Sequence, residues 1–220
     1  MKTILYIVLF SALSIFAFAQ NWTDPIQIST LQGVNAYPDF CIDNNGTIHC
    51  VWSYKIEDNH RIIYYSKSED EGQTWSEPEN VSQNTHLWME GPRIVADSEN
   101  NLHLTYMYNT YAPANTLIVY RKFSDNVWSE MDTVSTGWFG SKYSRLAIDH
   151  NDKLYCFWFH DMQNGTTFYR TLENGIWSDI QIPYDNNDNL FLMRCIIDSE
   201  NRLHCSGYNY LNGQSSYNDR

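Results

Sequence analysis

Apolar and polar residues alternate along most of this chain in short runs that end at turn-forming residues. Four stretches align without gaps over fourteen positions, and in each an apolar run leads to an aspartate turn and then to a second alternating run. The stretches are DFCIDNNGTIHCVW (39–52), RIVADSENNLHLTY (93–106), RLAIDHNDKLYCFW (145–158) and RCIIDSENRLHCSG (194–207), anchored at Asp43, Asp97, Asp149 and Asp198. Alternation on both sides of a polar turn predicts a β-hairpin in each stretch.

A second hairpin follows in each of the first three units. Its outgoing strand is RIIYYSK (61–67), LIVYRKF (117–123) or TTFYRTL (166–172), and its returning strand is TWSEPENVS (74–82), VWSEMDTVS (127–135) or IWSDIQIP (176–183). Four strands repeated at a spacing of about fifty residues predict an all-β fold, a β-propeller of four-stranded antiparallel blades. A β-sandwich is the alternative, but irregular strand spacing is typical of that fold.

The blades are predicted at about residues 37–83, 91–136, 143–184 and 192–220, the last being partial, so that about three and a half blades are present. Residues 22–29 (WTDPIQIS) are similar to the fourth strand WSEPENVS (75–82) and are predicted to close the ring by adding a strand to the last blade. The chain is then a four-bladed ring closed by residues 22–29, or an incomplete piece of a larger, six-bladed ring. The second alternative is favoured because the final polar stretch ends before an apolar third strand. An open ring, however, leaves strand edges unpaired.

The stretch SEDEGQTW (68–75) lies between the third and fourth strands of the first unit. Ser68 and Asp70 can accept hydrogen bonds from nearby backbone N–H groups, and Gly72 can take the positive φ of a tight turn. Trp75 is expected to cover this turn and to pack into the blade. The stretch is therefore predicted to turn the chain rather than to form a catalytic carboxylate cluster.

The pattern Ser-x-Asp-x-Gly-x-Thr-Trp resembles the Asp box (BNR repeat) of sialidase-like β-propellers, and the resemblance covers residues 20–220. It implies the propeller fold, with the Asp box as a structural element away from any ligand, but it implies no particular activity. Sialidases of this family bind the substrate carboxylate with three arginines, the first in an Arg-Ile-Pro motif ahead of the first Asp box. Arg93 in GPRIVAD (91–97) resembles that motif, but it follows the first Asp box and lacks the proline. No nucleophilic tyrosine with its glutamate can be assigned, so the catalytic residues are unknown.

One face of the predicted disk carries the starts of the first strands, close to the central axis. Four residues before each anchoring aspartate, the units carry Asp39, Arg93, Arg145 and Arg194. Guanidinium groups that converge on one axis would suit a carboxylate, sulfate or phosphate. The alternative is that each arginine pairs with a neighbouring carboxylate. Aromatic side chains that could stack on sugar rings, or else belong to the blade cores, are also expected on this face: Trp88, Trp138 and Tyr108.

Histidines recur at one position of the second strands, as His49, His103 and His204. Repeated packing is favoured over metal binding, because equivalent positions on separate blades are usually too far apart to share an ion. Asp- and Asn-rich turns offer calcium-type ligands, but their spacing does not match a calcium-binding loop. No metal site and no cofactor are therefore predicted, and a structural calcium ion is not indicated.

The cysteines suggest one disulfide. If Asn45-Gly46 forms a two-residue hairpin turn, Cys41 lies directly opposite Cys50. A cross-strand bridge between them is then allowed in an oxidising compartment.

Composition and the N-terminus narrow the classes of function. The formal net charge of -12 would repel nucleic acid, so no nucleic-acid partner is predicted. Residues 1–19 combine a positive charge at Lys2, an apolar stretch and the sequence Ala17-Phe18-Ala19, which together predict a cleaved signal peptide. The protein is therefore expected to be secreted, periplasmic or on the cell surface, and no later segment is long enough to span a membrane.

Together these observations predict a secreted β-propeller that binds a glycan or another small anionic ligand without catalysis. An exo-acting glycosidase of the sialidase type, or a fragment of one, is the first alternative. A structural adhesion module that binds protein is the second.

Overall fold

The computed structural model describes residues 24–57, 60–82, 88–110, 115–135, 140–160, 165–183, 190–211 and 214–217. Within these ranges the chain forms sixteen β-strands and no helix, which confirms the all-β prediction. No helix in this part of the chain is long and apolar enough to cross a membrane. The predicted signal peptide (1–19) and Trp138 lie outside the described residues.

The strands form four successive antiparallel units, which we call blades 1 to 4. Blade 1 contains β1 (Val34–Ile42), β2 (Ile48–Glu57), β3 (His60–Ser68) and β4 (Glu79–Asn80). Blade 2 contains β5 (Trp88–Ala96), β6 (Leu102–Thr110), β7 (Asn115–Ser124), β8 (Val127–Trp128) and β9 (Asp132–Thr133). Blade 3 contains β10 (Ser141–Ile148), β11 (Leu154–His160), β12 (Thr166–Glu173) and β13 (Ile176–Trp177). Blade 4 contains β14 (Leu190–Ile197), β15 (Leu203–Leu211) and β16 (Gln214–Tyr217).

The first two strands of every blade are joined by the same aspartate turn. In blade 1 the N–H of Asp43 donates to the carbonyl of Thr47 at 3.1 Å. Asp43 Oδ1 accepts from the N–H groups of Asn45 and Thr47, both at 2.9 Å. The other three anchoring aspartates accept the equivalent pair of bonds. A side-chain acceptor thus satisfies backbone donors that have no ladder partner inside the turn, and it fixes a three-residue loop.

This turn overturns the predicted register of blade 1. Because the loop holds three residues rather than two, Cys41 pairs with His49, and Phe40 pairs with Cys50. Register partners share one face of a sheet and successive residues alternate between faces, so Cys41 and Cys50 point to opposite faces. The predicted Cys41–Cys50 disulfide is therefore wrong, and both cysteines are free thiols.

The predicted closing strand is also wrong over the part that the structure describes, because residues 24–29 form no strand. Ser29 Oγ accepts from the N–H of Leu31 at 3.3 Å and donates to Asn35 Oδ1 at 2.9 Å, which folds the segment against the start of β1. Pro25 has no N–H to offer a strand ladder. At the other end, β16 has four residues, fewer than the third strands of blades 1 to 3.

Apolar layers hold successive blades together, with one face of each blade packed on the next. The layer between blades 1 and 2 includes Val51, Ile63, Met89, Ile94, Leu104 and Tyr106. The next two layers include Ile118, Val134, Leu146 and Trp158, and then Ala147, Phe157, Leu192 and Cys195. At the two ends of the stack, Phe40 of blade 1 is 68% exposed and Ile196 of blade 4 is 54% exposed.

On the face that carries the aspartate turns, each blade reaches back to the turn of the blade before it. The third residue after the anchoring aspartate accepts a hydrogen bond from a backbone N–H of the preceding turn. The acceptor–donor pairs are Asn100–Asn44, Asp152–Ser98 and Asn201–His150, at 2.9, 2.8 and 2.8 Å. All three acceptors have positive φ, which Asn and Asp tolerate better than most residues. The equivalent position of blade 1 is Gly46, which has no side chain.

A second set of hydrogen bonds to the preceding blade comes from the third strands. Arg121 is 2% exposed; its Nε donates to the carbonyl of Ser129 at 2.6 Å and its Nη1 to the carbonyl of Val81 in blade 1. Arg170 repeats this arrangement in blade 3 and donates to the carbonyl of Val134 in blade 2 at 3.0 Å. The register places Ser66 at the equivalent position of blade 1.

Candidate functional site

An irregularity in each first strand positions the predicted site residues. The pairing of the first two strands shifts just before Asp39, Arg93, Arg145 and Arg194. Bulges of this kind bend a strand and redirect its side chains, and they recur next to binding sites. On the N-terminal side of each bulge the first two strands pair again. Each first strand therefore begins two or three residues before the blade limit that the sequence predicted.

Asp39, Arg93 and Arg145 come together because the first strands of successive blades lie side by side. Burial raises the pKa of the Asp39 carboxyl, although the N–H of Ile94, which donates to Asp39 Oδ2 at 3.0 Å, and the charge of Arg93 oppose this shift. Burial also lowers the pKa of the Arg145 guanidinium to about 10, and repulsion from Arg93 adds to the effect. Two cations and one carboxylate therefore share a partly desolvated site.

Backbone carbonyls hold the two guanidinium groups in place. Arg145 donates from Nε to the carbonyl of Met193 at 2.6 Å and from Nη1 to the carbonyl of Ser144 at 2.8 Å. Arg93 donates from Nη1 to the carbonyl of Pro92 at 2.6 Å. Among the described residues, neither arginine forms a salt bridge with a carboxylate. The alternative in which each arginine has its own carboxylate partner does not apply to these two.

The other predicted residues are placed differently. Arg194 is exposed on β14, and the charges that act on Asp39 come from Arg93 and Arg145. Tyr108 is half-buried and packs against the apolar layer between blades 1 and 2, which is the core alternative. Trp88 is half-buried at the start of β5.

Trp88 contacts a further arginine on the same face, Arg61. The guanidinium carbon of Arg61 lies 4.6 Å from the centroid of the Trp88 ring and 5.8 Å from that of Tyr37. Arg61 Nε lies 3.7 Å from Glu90 Oε2. Both Nε and Nη1 of Arg61 are buried, and neither has a hydrogen-bond partner within the described residues. Buried donors without acceptors are costly, so an acceptor supplied from outside the chain would be stabilised here.

Two tyrosines that the sequence reasoning missed lie in the bulges. Tyr37 and Tyr143 each come two residues before a member of the charged cluster, each has a φ of 55°, and they are 50% and 51% exposed. A positive φ is unfavourable for a bulky side chain, and strained backbone of this kind concentrates at functional sites. Gly91 has the equivalent place and a φ of 62° in blade 2. The sequence does carry one sign of these positions, because a tyrosine stands two residues before the cluster residue in both AYPDF (36–40) and KYSRL (142–146).

Further aromatic rings extend this face toward blade 4. The ring of Phe191 lies 5.4 Å from that of Tyr143 and 5.0 Å from that of Phe159, measured between centroids. Edge-on contacts of this kind hold a partly exposed ring in place. The charged cluster therefore has one aromatic group on the blade 1 side and another on the blade 4 side.

The Ser68–Trp75 stretch has a structural role on the opposite face. Ser68 Oγ donates to Asp70 Oδ1 at 2.8 Å and accepts from the N–H of Gly72 at 2.9 Å. Asp70 accepts from both the N–H and the hydroxyl of Thr74, at 2.8 and 2.6 Å, and these bonds lower the Asp70 pKa to about 2. Trp75 Nε1 donates to the carbonyl of Gly72 at 3.1 Å. The side chains of Ser68, Asp70, Thr74 and Trp75 thus all form hydrogen bonds that fix the turn.

The recurrent histidines also have a structural role. His49 Nδ1 lies 2.8 Å from the hydroxyl of Tyr65, and its Nε2 lies 3.2 Å from Asp43 Oδ2. Burial lowers the pKa of His49, with the Asp43 carboxylate opposing the shift. The same chain of contacts recurs at His103 in blade 2. Within the described residues, no group of three His, Cys, Asp or Glu side chains could hold a metal ion.

The turn face also contains a cleft of about 470 Å³ between blades 2 and 3, which the sequence did not reveal. Its lining includes Asp97, Glu99, Asp132, Asp152, Glu173 and Trp177. The cleft is thus mainly acidic, in contrast to the cationic cluster on the other face.

Comparisons with known proteins bear on the fold. No protein family and no curated protein matches the sequence. Among solved structures, a protein of unknown function from Dyadobacter fermentans superimposes with a TM-score of 0.68 at 12% identity, over 86% of this chain and 61% of that one. The GH93 α-L-arabinofuranosidase of Fusarium graminearum, solved with arabinobiose, gives 0.62 at 16% identity, over 80% and 56%. A Hadza microbial sialidase gives 0.59 at 12% identity, over 80% and 40%.

The chain thus spans 40% to 61% of the length of these three proteins. The structural neighbours include sialidase and arabinanase-type glycoside hydrolases with the propeller fold. At this low identity the likeness concerns the fold alone, and the fold of this chain is a β-propeller.

Proposed function

We propose that this protein is an exported β-propeller that binds an acidic glycan through the face bearing Asp39, Arg93 and Arg145. The observation that carries the proposal is the charge imbalance of this cluster. Two guanidinium groups interact with each other and with a single carboxylate, in a site desolvated enough to shift the pKa of Asp39 and Arg145. An anionic group of a ligand would relieve the repulsion between the arginines.

The size of the imbalance favours a small anionic group. The whole chain carries a net charge of -12, which repels an extended polyanion at long range. One local excess positive charge suits a single carboxylate or sulfate on a sugar, which can accept from guanidinium donors.

The aromatic side chains support a sugar as the carrier of that group. Tyr37 and Tyr143 are about half exposed and flank the charged cluster. Exposed aromatic rings on rigid backbone offer apolar faces on which a pyranose or furanose ring can stack. The propeller glycosidases among the structural neighbours act on glycans, which agrees with this choice of ligand.

A glycan array that includes sialylated, uronic-acid and sulfated sugars tests the proposal, followed by calorimetric titration of the best binder. Replacing Arg93 (Arg93→Gln) is expected to weaken binding about tenfold to a hundredfold, because a charge-assisted hydrogen bond is lost. Arg202→Gln is the matched control, since Arg202 lies on the turn face and its side chain is 61% exposed. Absence of binding to any acidic glycan, or equal weakening by both changes, would refute the proposal.

A second candidate function is hydrolysis by an exo-acting glycosidase. The observation that favours it is the raised pKa of Asp39, since burial that raises the pKa of a carboxyl makes it better suited to act as a general acid. Release of 4-methylumbelliferone from a sialoside or an arabinofuranoside, abolished by Asp39→Asn, would establish this activity. Turnover unchanged in Asp39→Asn would remove Asp39 from that role.

A further inference from the structure

Blade 4 contains two cysteines that face each other across adjacent strands. Cys195 on β14 and Cys205 on β15 are register partners. Their Sγ atoms lie 2.9 Å apart. In blades 1 to 3 the position of Cys195 is occupied by Phe40, Ile94 and Leu146.

The strand geometry at this pair suits a covalent bridge. The N–H of Asp198 donates to the carbonyl of Arg202 at 3.0 Å, which marks a hydrogen-bonded pair. Hydrogen-bonded and non-hydrogen-bonded pairs alternate along an antiparallel ladder, so Cys195 and Cys205, three steps away, form a non-hydrogen-bonded pair. The Cα atoms of such pairs lie about 4.5 Å apart. That distance falls within the range of about 4.4–6.8 Å found for disulfides.

We propose that Cys195 and Cys205 form an oxidisable dithiol, which closes to an intrachain disulfide when a low-molecular-weight disulfide acts as oxidant. The Cys205 thiolate attacks one sulfur of the oxidant and expels the other sulfur as a thiolate, which takes up a proton. The Cys195 thiol then loses its proton and attacks the Cys205 sulfur, which releases the second small thiol. The protein dithiol is oxidised by two electrons, and one small disulfide is reduced to two thiols.

Exposure and acidity agree with this order of attack. Cys195 is 7% exposed, whereas Cys205 is only half-buried and is therefore the more accessible of the two cysteines. Interaction with Cys195 lowers the pKa of the Cys205 thiol, and burial opposes this shift. Thiolate formation at the reachable sulfur favours it as the first nucleophile.

The bridge would also stabilise the charged cluster. The carbonyl that accepts from Arg145 Nε belongs to Met193, two residues before Cys195 on the same strand. A disulfide that fixes β14 against β15 therefore limits the movement of that carbonyl, whether or not the cluster binds a glycan.

The test exposes the reduced full chain to oxidised glutathione, quenches with acid, and alkylates all remaining thiols after denaturation. Of the five cysteines, three are expected to be alkylated after oxidation and five before it. Trypsin cleaves after Arg194 and Arg202, so the bridge would join the peptides 195–202 and 203–220, a linkage that mass spectrometry identifies directly.

Single variants separate the two steps. Cys195→Ser is expected to retain one glutathione on Cys205, and Cys205→Ser is expected to form no bridge. Cys41→Ser is the matched control and should oxidise like the wild type, because Cys41 and Cys50 point to opposite faces. Five alkylated thiols after oxidation, or a linkage that involves Cys41, Cys50 or Cys156, would overturn the proposal. The thiol count on the wild-type chain is decisive even where a variant fails to fold.

Discussion

Replacing the anchoring aspartate of blade 2 tests how much one turn contributes to stability. Asp97 is 8% exposed. Its Oδ1 accepts from the N–H groups of Glu99 and Asn101 at 3.0 and 2.7 Å. Its Oδ2 lies 3.2 Å from Nε2 of His103 and accepts from Asn101 Nδ2 at 2.8 Å. Asp97→Asn puts an amide N–H₂ where one carboxylate oxygen accepts these bonds.

The pKa of Asp97 gives the magnitude. Burial alone would raise it, but the hydrogen bonds from His103 and Asn101 lower it from 3.8 to about 2. At about 1.4 kcal/mol per pKa unit, the ionised carboxylate contributes about 2 kcal/mol to folding. Because the folded pKa is below the unfolded one, this contribution is complete above about pH 4 and is lost as the pH falls through about 2.

The assay is urea unfolding followed by tryptophan fluorescence at a series of pH values between 7 and 2. Asp97→Asn is expected to be about 2 kcal/mol less stable than the wild type at pH 7, with the difference shrinking toward pH 2. The control is Asp179→Asn, since Asp179 is exposed, and its difference from the wild type should stay near zero. If the Asp97→Asn difference were the same at pH 7 and at pH 2, the linkage argument would be wrong.

Three further changes test the ties within and between blades. Ser68→Ala removes a buried hydroxyl that makes three hydrogen bonds in the turn after β3, and it should cost about 1–2 kcal/mol in urea unfolding. No loss of stability would show that the motif is dispensable. Arg121→Met leaves buried carbonyls without donors and should lower the thermal midpoint, followed by circular dichroism, by about 10 °C. The partly exposed Lys122→Met serves as its control, and equal shifts would contradict the burial argument. Asn100→Ala should destabilise more than Asn100→Gly, because both lose the bond to Asn44 but only alanine is strained at a φ of 65°. The reverse order in urea unfolding would disprove this.

The sequence specified the hairpins because period-two alternation on both sides of an aspartate leaves few other structures open. It misplaced the register by one residue, since the loop length depends on how Asp43 Oδ1 caps the two N–H groups of the turn. The prediction of a closing strand was wrong for a similar reason. It was based on the similarity of residues 22–29 to the fourth strand of blade 1, whereas Ser29 forms local hydrogen bonds that compete with strand pairing.

The candidate site was predictable in part. Because the four units repeat, the sequence predicted Asp39, Arg93 and Arg145 at equivalent positions of the first strands, and the structure has them there. Tyr37 and Tyr143 were missed because the bulge that turns them outward depends on strand pairing, which their shared position two residues before a cluster residue does not reveal. Which carbonyls hold the arginines likewise depends on the packing of one blade on the next.

One set of hydrogen bonds between blades joins side chains of a later blade to the backbone of the blade that precedes it in the sequence. On the turn face, each blade after the first carries the side chain that caps the turn of the preceding blade. From the third strands, Arg121 and Arg170 donate to backbone carbonyls of the preceding blade. In a chain synthesised from its N-terminus, the Asn44 N–H and the Val81 carbonyl of blade 1 would thus receive these partners only once blade 2 has been made. Each newly made blade would supply the side chains of these particular contacts to a blade that is already folded, which suits assembly in the order of translation.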